Sequence, residues 1–243
     1  TDMVQAIIMF GTLVLLPLVG LVELSGTEEG IGAIGSALTA AGAKKASWVG
    51  GAVGWAAVVY AIAGLSWGLG YTGQPHLLLR YLAMREPADT RKAMTIAFVW
   101  AFPAFFGAFF IGIVGLGIFG VESFDDVEKL MPAMATHLLP SWLAGIFISG
   151  AIAAMMSTAD SQILVVTSAV SEDIYHKVLG KEPGEKTLVW ISRATTLVLG
   201  IVAIVLALTT KDLVFAMVSY AWGGLGASFG PVIVLALYWK RLN

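Results

Sequence analysis

The run Gly150-Ala-Ile-Ala-Ala-Met-Met-Ser-Thr-Ala-Asp-Ser-Gln162 puts small and hydroxyl-bearing residues inside an otherwise apolar segment. On a helix, Ala154, Ser157, Thr158 and Ser161 fall three and four residues apart and share one face. That face offers hydroxyls and, where the helix loosens, main-chain carbonyls. An all-oxygen donor set suits a hard cation such as Na⁺ rather than a soft metal. The same composition also marks a close contact between membrane helices. Asp160 favours the ion, because a carboxylate at membrane depth is costly and tends to be functional.

A second run extends from Gly64 to His76. Gly64, Gly68, Gly70, Gly73 and Pro75 crowd a dozen positions there. Glycine weakens a helix, and proline removes a donor and clashes with the preceding turn. In lipid such a break is tolerated only where neighbours or a cavity satisfy the freed backbone groups. Broken helices near the midplane are where carriers bind their substrates. Trp67 and Tyr71, four apart, would wall an apolar ring while bare N–H groups meet a carboxylate. A kinked structural helix with two packing aromatics is the alternative. The run from Tyr220 to Pro231 is again rich in glycine and aromatics, and reads equally as a flexing gate or as close packing. Asp2 alone is explained as a helix N-terminal charge.

The elements that must position these residues are membrane spans. The chain has 243 residues, 58% of them hydrophobic and 12% charged, and a mean hydropathy of +0.86. A soluble domain carries roughly 25% charged residues, so an all-α polytopic membrane protein is expected. Apolar segments at 2–24, 48–79, 93–120, 141–176, 188–209 and 213–239 give six spans. A short surface helix is expected from Phe124 to Leu139. Lys and Arg concentrate in 80–92, in 177–187 with Arg193 just beyond, and at Lys240-Arg241, with few in 25–47 or 121–140. The positive-inside rule then places the C-terminus in the cytoplasm, in a plasma or inner membrane. The opening Thr1-Asp2-Met3 runs straight into a helix pattern, so helices upstream of it are expected.

Several function classes are excluded. A net charge of −2 and the lack of a basic patch argue against nucleic acid as a partner. The chain has no cysteine, hence no disulfide or thiolate site. His76, His137 and His176 lack companions at zinc-ligand spacing. There is no Walker loop and no His-Glu-x-x-His, and Ser157 has no His nearby in sequence, so an enzyme is not expected.

Three groups of residues, taken together, carry a resemblance. Trp67-Gly-Leu-Gly-Tyr71 leading to Gln74-Pro75-His76, Ala154-Met-Met-Ser-Thr158 followed by Ser171-Glu-Asp-Ile-Tyr175, and Ser219-Tyr-Ala-Trp222 with Phe229-Gly-Pro231 resemble the sodium/solute symporter family, nearest its proline-transporting members. The likeness runs through residues 1–243 in order. It implies the LeuT-type fold of two inverted five-helix repeats, with the chain a single transmembrane domain corresponding to core helices five to ten and the first core helices missing. It implies sodium-coupled symport of a small solute, L-proline first, by alternating access. By the same resemblance, Ala154, Ser157 and Thr158 hold the main sodium ion. Trp67 and Tyr71 line the substrate pocket, with Gln74 and Pro75 at its cytoplasmic edge. Asp2, Asp160 and Ser161 form a possible second sodium site. The partners expected are the solute, sodium, lipid and the missing N-terminal helices. Symport of another small carboxylate-bearing solute, or a symporter-like sensor domain of a signalling protein, is the competing reading. All of these rest on one expectation, that the Ser157–Thr158 oxygens face the Trp67–Tyr71 interruption across a shared polar cleft.

Overall fold

The computed structural model describes residues 2–42, 44, 46–179 and 184–241, with the side chains of Asp2 and Pro87 outside that description. Its elements are α1 (Asp2–Ser25), α2 (Gly32–Ala41), α3 (Trp55–Thr72), α4 (Pro75–Leu82), α5 (Pro87–Phe119), α6 (Leu130–Leu138), α7 (Ser141–Ser168), α8 (Glu185–Thr209) and α9 (Val214–Tyr238). Among the described residues every regular element is helical. The helices α1, α5, α7 with its continuation to Val178, α8 and α9 are long and apolar enough to cross a membrane.

The sixth expected span, 48–79, is realised as two helices. α3 stops at Thr72, Gln74 is extended (φ −87°, ψ 109°), and α4 starts with Pro75 at its first turn. Proline is suited to that position, where its missing N–H costs nothing and its fixed φ is already helical. α5 starts at Pro87 for the same reason, six residues before the apolar segment that the sequence marks at 93. It stops where Gly120 takes φ 81°, a left-handed conformation open to glycine. The expected surface helix is shorter than 124–139, a 3₁₀ turn Val127–Lys129 leading into α6. The connection 25–47, rich in small residues and outside the six apolar segments, contains α2. α7 is regular through Ser157 and Thr158, so the local loosening entertained there is absent. The widening comes later, as a π-helix over Ala169–Val178.

Two packed groups result. In the first, α1 lies against α5 and α7, with α2, α6 and α8 around them. Leu16, Ile111, Val114, Met134, Ala144 and Phe147 form its buried centre. In lipid the hydrophobic effect does not draw helices together, so close fit and interhelical hydrogen bonds must. Both are present. Gly107 lets α5 approach the Leu13 carbonyl of α1, and the buried Thr12 hydroxyl donates to Ile8 O (3.0 Å) and, across the interface, to Phe147 O (3.3 Å). The second group is the pair α3 and α9. Their glycines interlock: a Cβ on Gly226 would stand 2.7 Å from Gly70 Cα, and one on Gly73 would stand 2.8 Å from Gly226 Cα. The glycine-rich run of α9 is therefore a packing surface for α3.

Two side chains tie the groups together. Glu128, in the 3₁₀ turn before α6, accepts from the first backbone N–H groups of α9, Val214 N at 3.1 Å and Phe215 N at 2.9 Å. An acidic group is favourable at a helix N-terminus, where unpaired N–H groups and the macrodipole meet. At the opposite end α4 rests on α7, and Arg80 Nη2 donates to Ser161 Oγ at 2.8 Å.

Candidate functional site

The aromatic half of the site forms because α3 and α9 cross at glycines. With no side chain at Gly70, the Trp222 indole settles onto α3, and its Nε1 donates to the Trp67 carbonyl at 3.2 Å. Trp67 stacks between Phe215 (5.6 Å, 18° between planes) and Trp222 (5.9 Å, 28°). Tyr71 meets Trp222 edge-on at 4.6 Å and 84°. Such offset and edge-to-face pairs are preferred aromatic geometries. Beside them opens a groove of about 490 Å³, lined among others by Ser66, Trp67, Gly70, Ser219, Trp222 and Gly226. Its walls are mostly carbon, with hydroxyls at Ser66, Thr72 and Ser219. The sequence does not link Phe215 and Trp222 to Trp67, on which both stack. The aromatic–glycine run in α9 was the available signal, but without the crossing nothing related it to Trp67.

Gln74 is 1% exposed. Its Nε2 donates to Gly70 O at 3.3 Å, and Gly73 N and Gln74 N return to Gly70 O and Tyr71 O. The side chain thus satisfies backbone that the break releases, as a buried polar group must. Pro75, half-buried, opens α4. Both residues lie in the chain between α3 and the body of α4, the helix that reaches α7.

The oxygen half lies on α7. Ser157 Oγ and Thr158 Oγ1 both donate to the Ala154 carbonyl, at 3.0 and 3.2 Å. Three oxygens from the three residues singled out are therefore gathered at one place on the helix. Ser161 Oγ donates to Ser157 O at 2.9 Å and accepts from Arg80. Asp160 is exposed and has no hydrogen-bond or ion-pair partner among the described residues. The Asp2 side chain lies outside the described residues. Among those described, no group of three or more His, Asp or Glu could hold a metal ion.

The two halves do not share one cleft as expected. The groove at Trp67 is lined by α3 and α9 and by no residue of α7. They are joined through Gln74, Pro75 and α4, which reaches α7 at Arg80. The reason is the glycine crossing, which turns the aromatic face of α3 toward α9. The stretch Gly226-Ala-Ser-Phe-Gly230 has nucleophile-elbow spacing. It lies inside α9, with Ser228 Oγ bonded to Gly224 O at 2.8 Å, not on the strand-to-helix turn that such a nucleophile needs.

Comparison with known proteins places this arrangement. The model of the sodium:solute symporter family matches residues 1–243. The osmoregulated proline transporter OpuE of Bacillus subtilis is 36% identical over 249 residues, covering 100% of this chain and 48% of its own length. The sodium/proline symporter of Escherichia coli is 36% identical over 254 residues, with the same two coverages. The high-affinity proline transporter PutP of Bacillus subtilis is 34% identical over 245 residues, covering 100% of this chain and 50% of its own length. The chain spans about half the length of the curated relatives it matches. No solved structure matches it. With the family pattern running from end to end through five apolar spans, the chain is a multi-pass membrane protein that belongs to the sodium:solute symporter family, a family of transporters and not of enzymes.

Proposed function

We propose that the protein carrying this chain performs sodium-coupled symport of a small solute, L-proline first, into the cell by alternating access. The observation that carries the reading is the convergence of Ser157 Oγ, Thr158 Oγ1 and Ala154 O on one turn of α7, in a family whose relatives at this level of identity are named as proline transporters. Sodium would replace the two hydroxyl-to-carbonyl hydrogen bonds and draw on the same oxygens. Trp67 and Tyr71, with Trp222 behind them, would hold the pyrrolidine ring by its apolar faces, and Gln74 and Pro75 would close the cytoplasmic edge. Residues 1–243 act as one transmembrane domain equivalent to core helices five to ten of the LeuT-type fold, completed by further helices of the same protein. The membrane is a plasma or inner membrane, with Lys240 and Arg241 on the cytoplasmic side. Sodium enters down its gradient, each charge crossing 100 mV releasing about 2.3 kcal/mol.

The test is uptake of labelled proline by the intact protein against graded sodium. Replacing Ser157 and Thr158 together by Ala removes two ligands to a charge, each worth about 1.5–3 kcal/mol. The half-saturating sodium concentration should rise at least about tenfold, equivalent to 1.4 kcal/mol. Trp67→Ala should weaken proline affinity more than sodium affinity. Unchanged sodium dependence at normal membrane levels would sink the assignment of the ion, and equal loss of both affinities in Trp67→Ala would sink that of the solute.

A further inference from the structure

Arg80 lies near the proposed ion oxygens, and this function does not use it. It sits in the last turn of α4, where a cation is favoured by the helix C-terminus. The break at Gly73–Gln74 lets α4 leave the axis of α3 and lie on α7. There Arg80 Nη2 donates to Ser161 Oγ at 2.8 Å, Ser161 Oγ donates to Ser157 O at 2.9 Å, and Ser157 Oγ donates to Ala154 O at 3.0 Å. The hydroxyl proton of Ser161 is thus committed to its own helix, and the lone pairs that an ion would need face a guanidinium. Asp160, next in the chain, presents a carboxylate with no partner among the described residues.

We infer that Arg80 is a built-in cation that occupies the second ion position on α7, so that a sodium ion can bind Asp160 and Ser161 only when the guanidinium is absent or has left. The inference rests on the reading of Ser157 and Thr158 as the main sodium site and sets how many ions accompany the solute. A sodium ion on Ser161 would lie within about 4 Å of the guanidinium, and like charges at that separation near a protein surface cost on the order of a thousandfold in affinity. Ion and arginine therefore exclude each other. With Arg80 in place α7 carries one sodium ion, and Asp160, without an ion-pair partner among the described residues, is not a sodium ligand.

Equilibrium binding of radiolabelled sodium to the purified full-length protein counts the ions directly, without transport. The neutral variants Arg80→Gln and Arg80→Met should each bind one more sodium ion per protein than the parent, Arg80→Lys should bind the parental number, and Arg80→Gln combined with Asp160→Asn should return to it. Size-exclusion profile and melting temperature identify the folded variants. No gain in a folded neutral variant, or a gain that persists with Asp160→Asn, overturns the inference. Asp160→Asn in the parental background is the arm that does not disturb α4. It should leave the ion count unchanged and sodium affinity within about twofold, and loss of a bound sodium ion there would show Asp160 already ligating sodium beside Arg80 and overturn the proposal. Ser157→Ala with Thr158→Ala, run in parallel, reports on the main site alone. If it leaves parental sodium binding intact, the function reading fails whatever the Arg80 variants show.

Discussion

Replacing Gly226 with Ala tests whether the crossing of α3 and α9 builds the aromatic groove. The added Cβ would stand 2.7 Å from Gly70 Cα and 3.4 Å from Gly70 N. Carbon atoms rest at about 3.5–4.0 Å, so the helices must part by roughly 1 Å at their closest point. Nothing flexible can give way, because the opposing atoms are main chain. Overpacking of this kind costs about 1–3 kcal/mol, of which the better helix propensity of Ala returns at most about 1 kcal/mol. The same displacement stretches the Trp222 Nε1 to Trp67 O bond from 3.2 Å past the useful range and spreads the walls of the groove. Gly224→Ala is the matched comparison. It lies half a turn away on the same helix, and a Cβ there meets nothing within 4 Å, so its effect should be neutral or slightly stabilising. Melting temperature of the detergent-solubilised full-length protein and KM for labelled proline read the two effects. Gly226→Ala should melt several degrees lower and raise KM, and Gly224→Ala should do neither. If the two variants behave alike, the glycines serve general flexibility and the crossing does not shape the groove.

Two further outcomes follow from the same geometry. Trp222→Phe keeps the ring against Tyr71 but loses the bond to Trp67 O, a loss of about 0.5–1.5 kcal/mol, so proline affinity should fall by no more than about tenfold, and further in Trp222→Ala; equal effects would show that the ring does not matter. Glu128→Ala leaves the two N–H groups of α9 without their carboxylate and, at this exposed position, should cost about 0.5–2 kcal/mol, with Glu128→Gln milder because its amide oxygen still accepts one bond; a melting temperature unchanged in both would mean that water caps α9 equally well.

The spans were legible because length and apolar content suffice to identify a membrane helix, and the break before Pro75 because glycine and proline act locally. The boundary of α5 was misplaced by six residues, since Pro87 and Asp89 start a helix with polar residues that a hydropathy pattern discards. α2 was hidden because small residues such as those of Gly32–Ala41 are weak evidence for either helix or loop. The grouping of Ala154, Ser157 and Thr158 followed from helical spacing alone. What the spacing could not give was the direction in which α3 faces. Trp67 and Tyr71 share a face by periodicity, but whether that face meets α7 or α9 depends on a glycine of one helix meeting a glycine of another, a relation between segments some 155 residues apart.

That relation also bears on how the two halves of the site communicate. α3 and α9 form one unit through backbone-close packing at Gly70, Gly73 and Gly226, and α1, α5 and α7 form another around Leu16, Val114 and Met134. The ties between the units are polar and lie at opposite ends, Glu128 on the first N–H groups of α9 and Arg80 on Ser161. Exposed polar ties are weak beside main-chain interlocking: each is worth of order 1 kcal/mol, whereas parting α3 from α9 exposes the whole aromatic cluster. Movement between the units therefore costs less than movement within them, and the segment that must bend is the short one between Thr72 and Pro75, where Gln74 already substitutes for the helical hydrogen bonds. A solute seated against Trp67 and Trp222 would ride on one unit and an ion on Ser157 and Thr158 on the other, and of the two ties only that through α4 reaches the helix carrying the ion oxygens. That is why Arg80, and not a residue of the aromatic groove, is the position at which substitution should alter the ion count while leaving the walls of the solute groove in place.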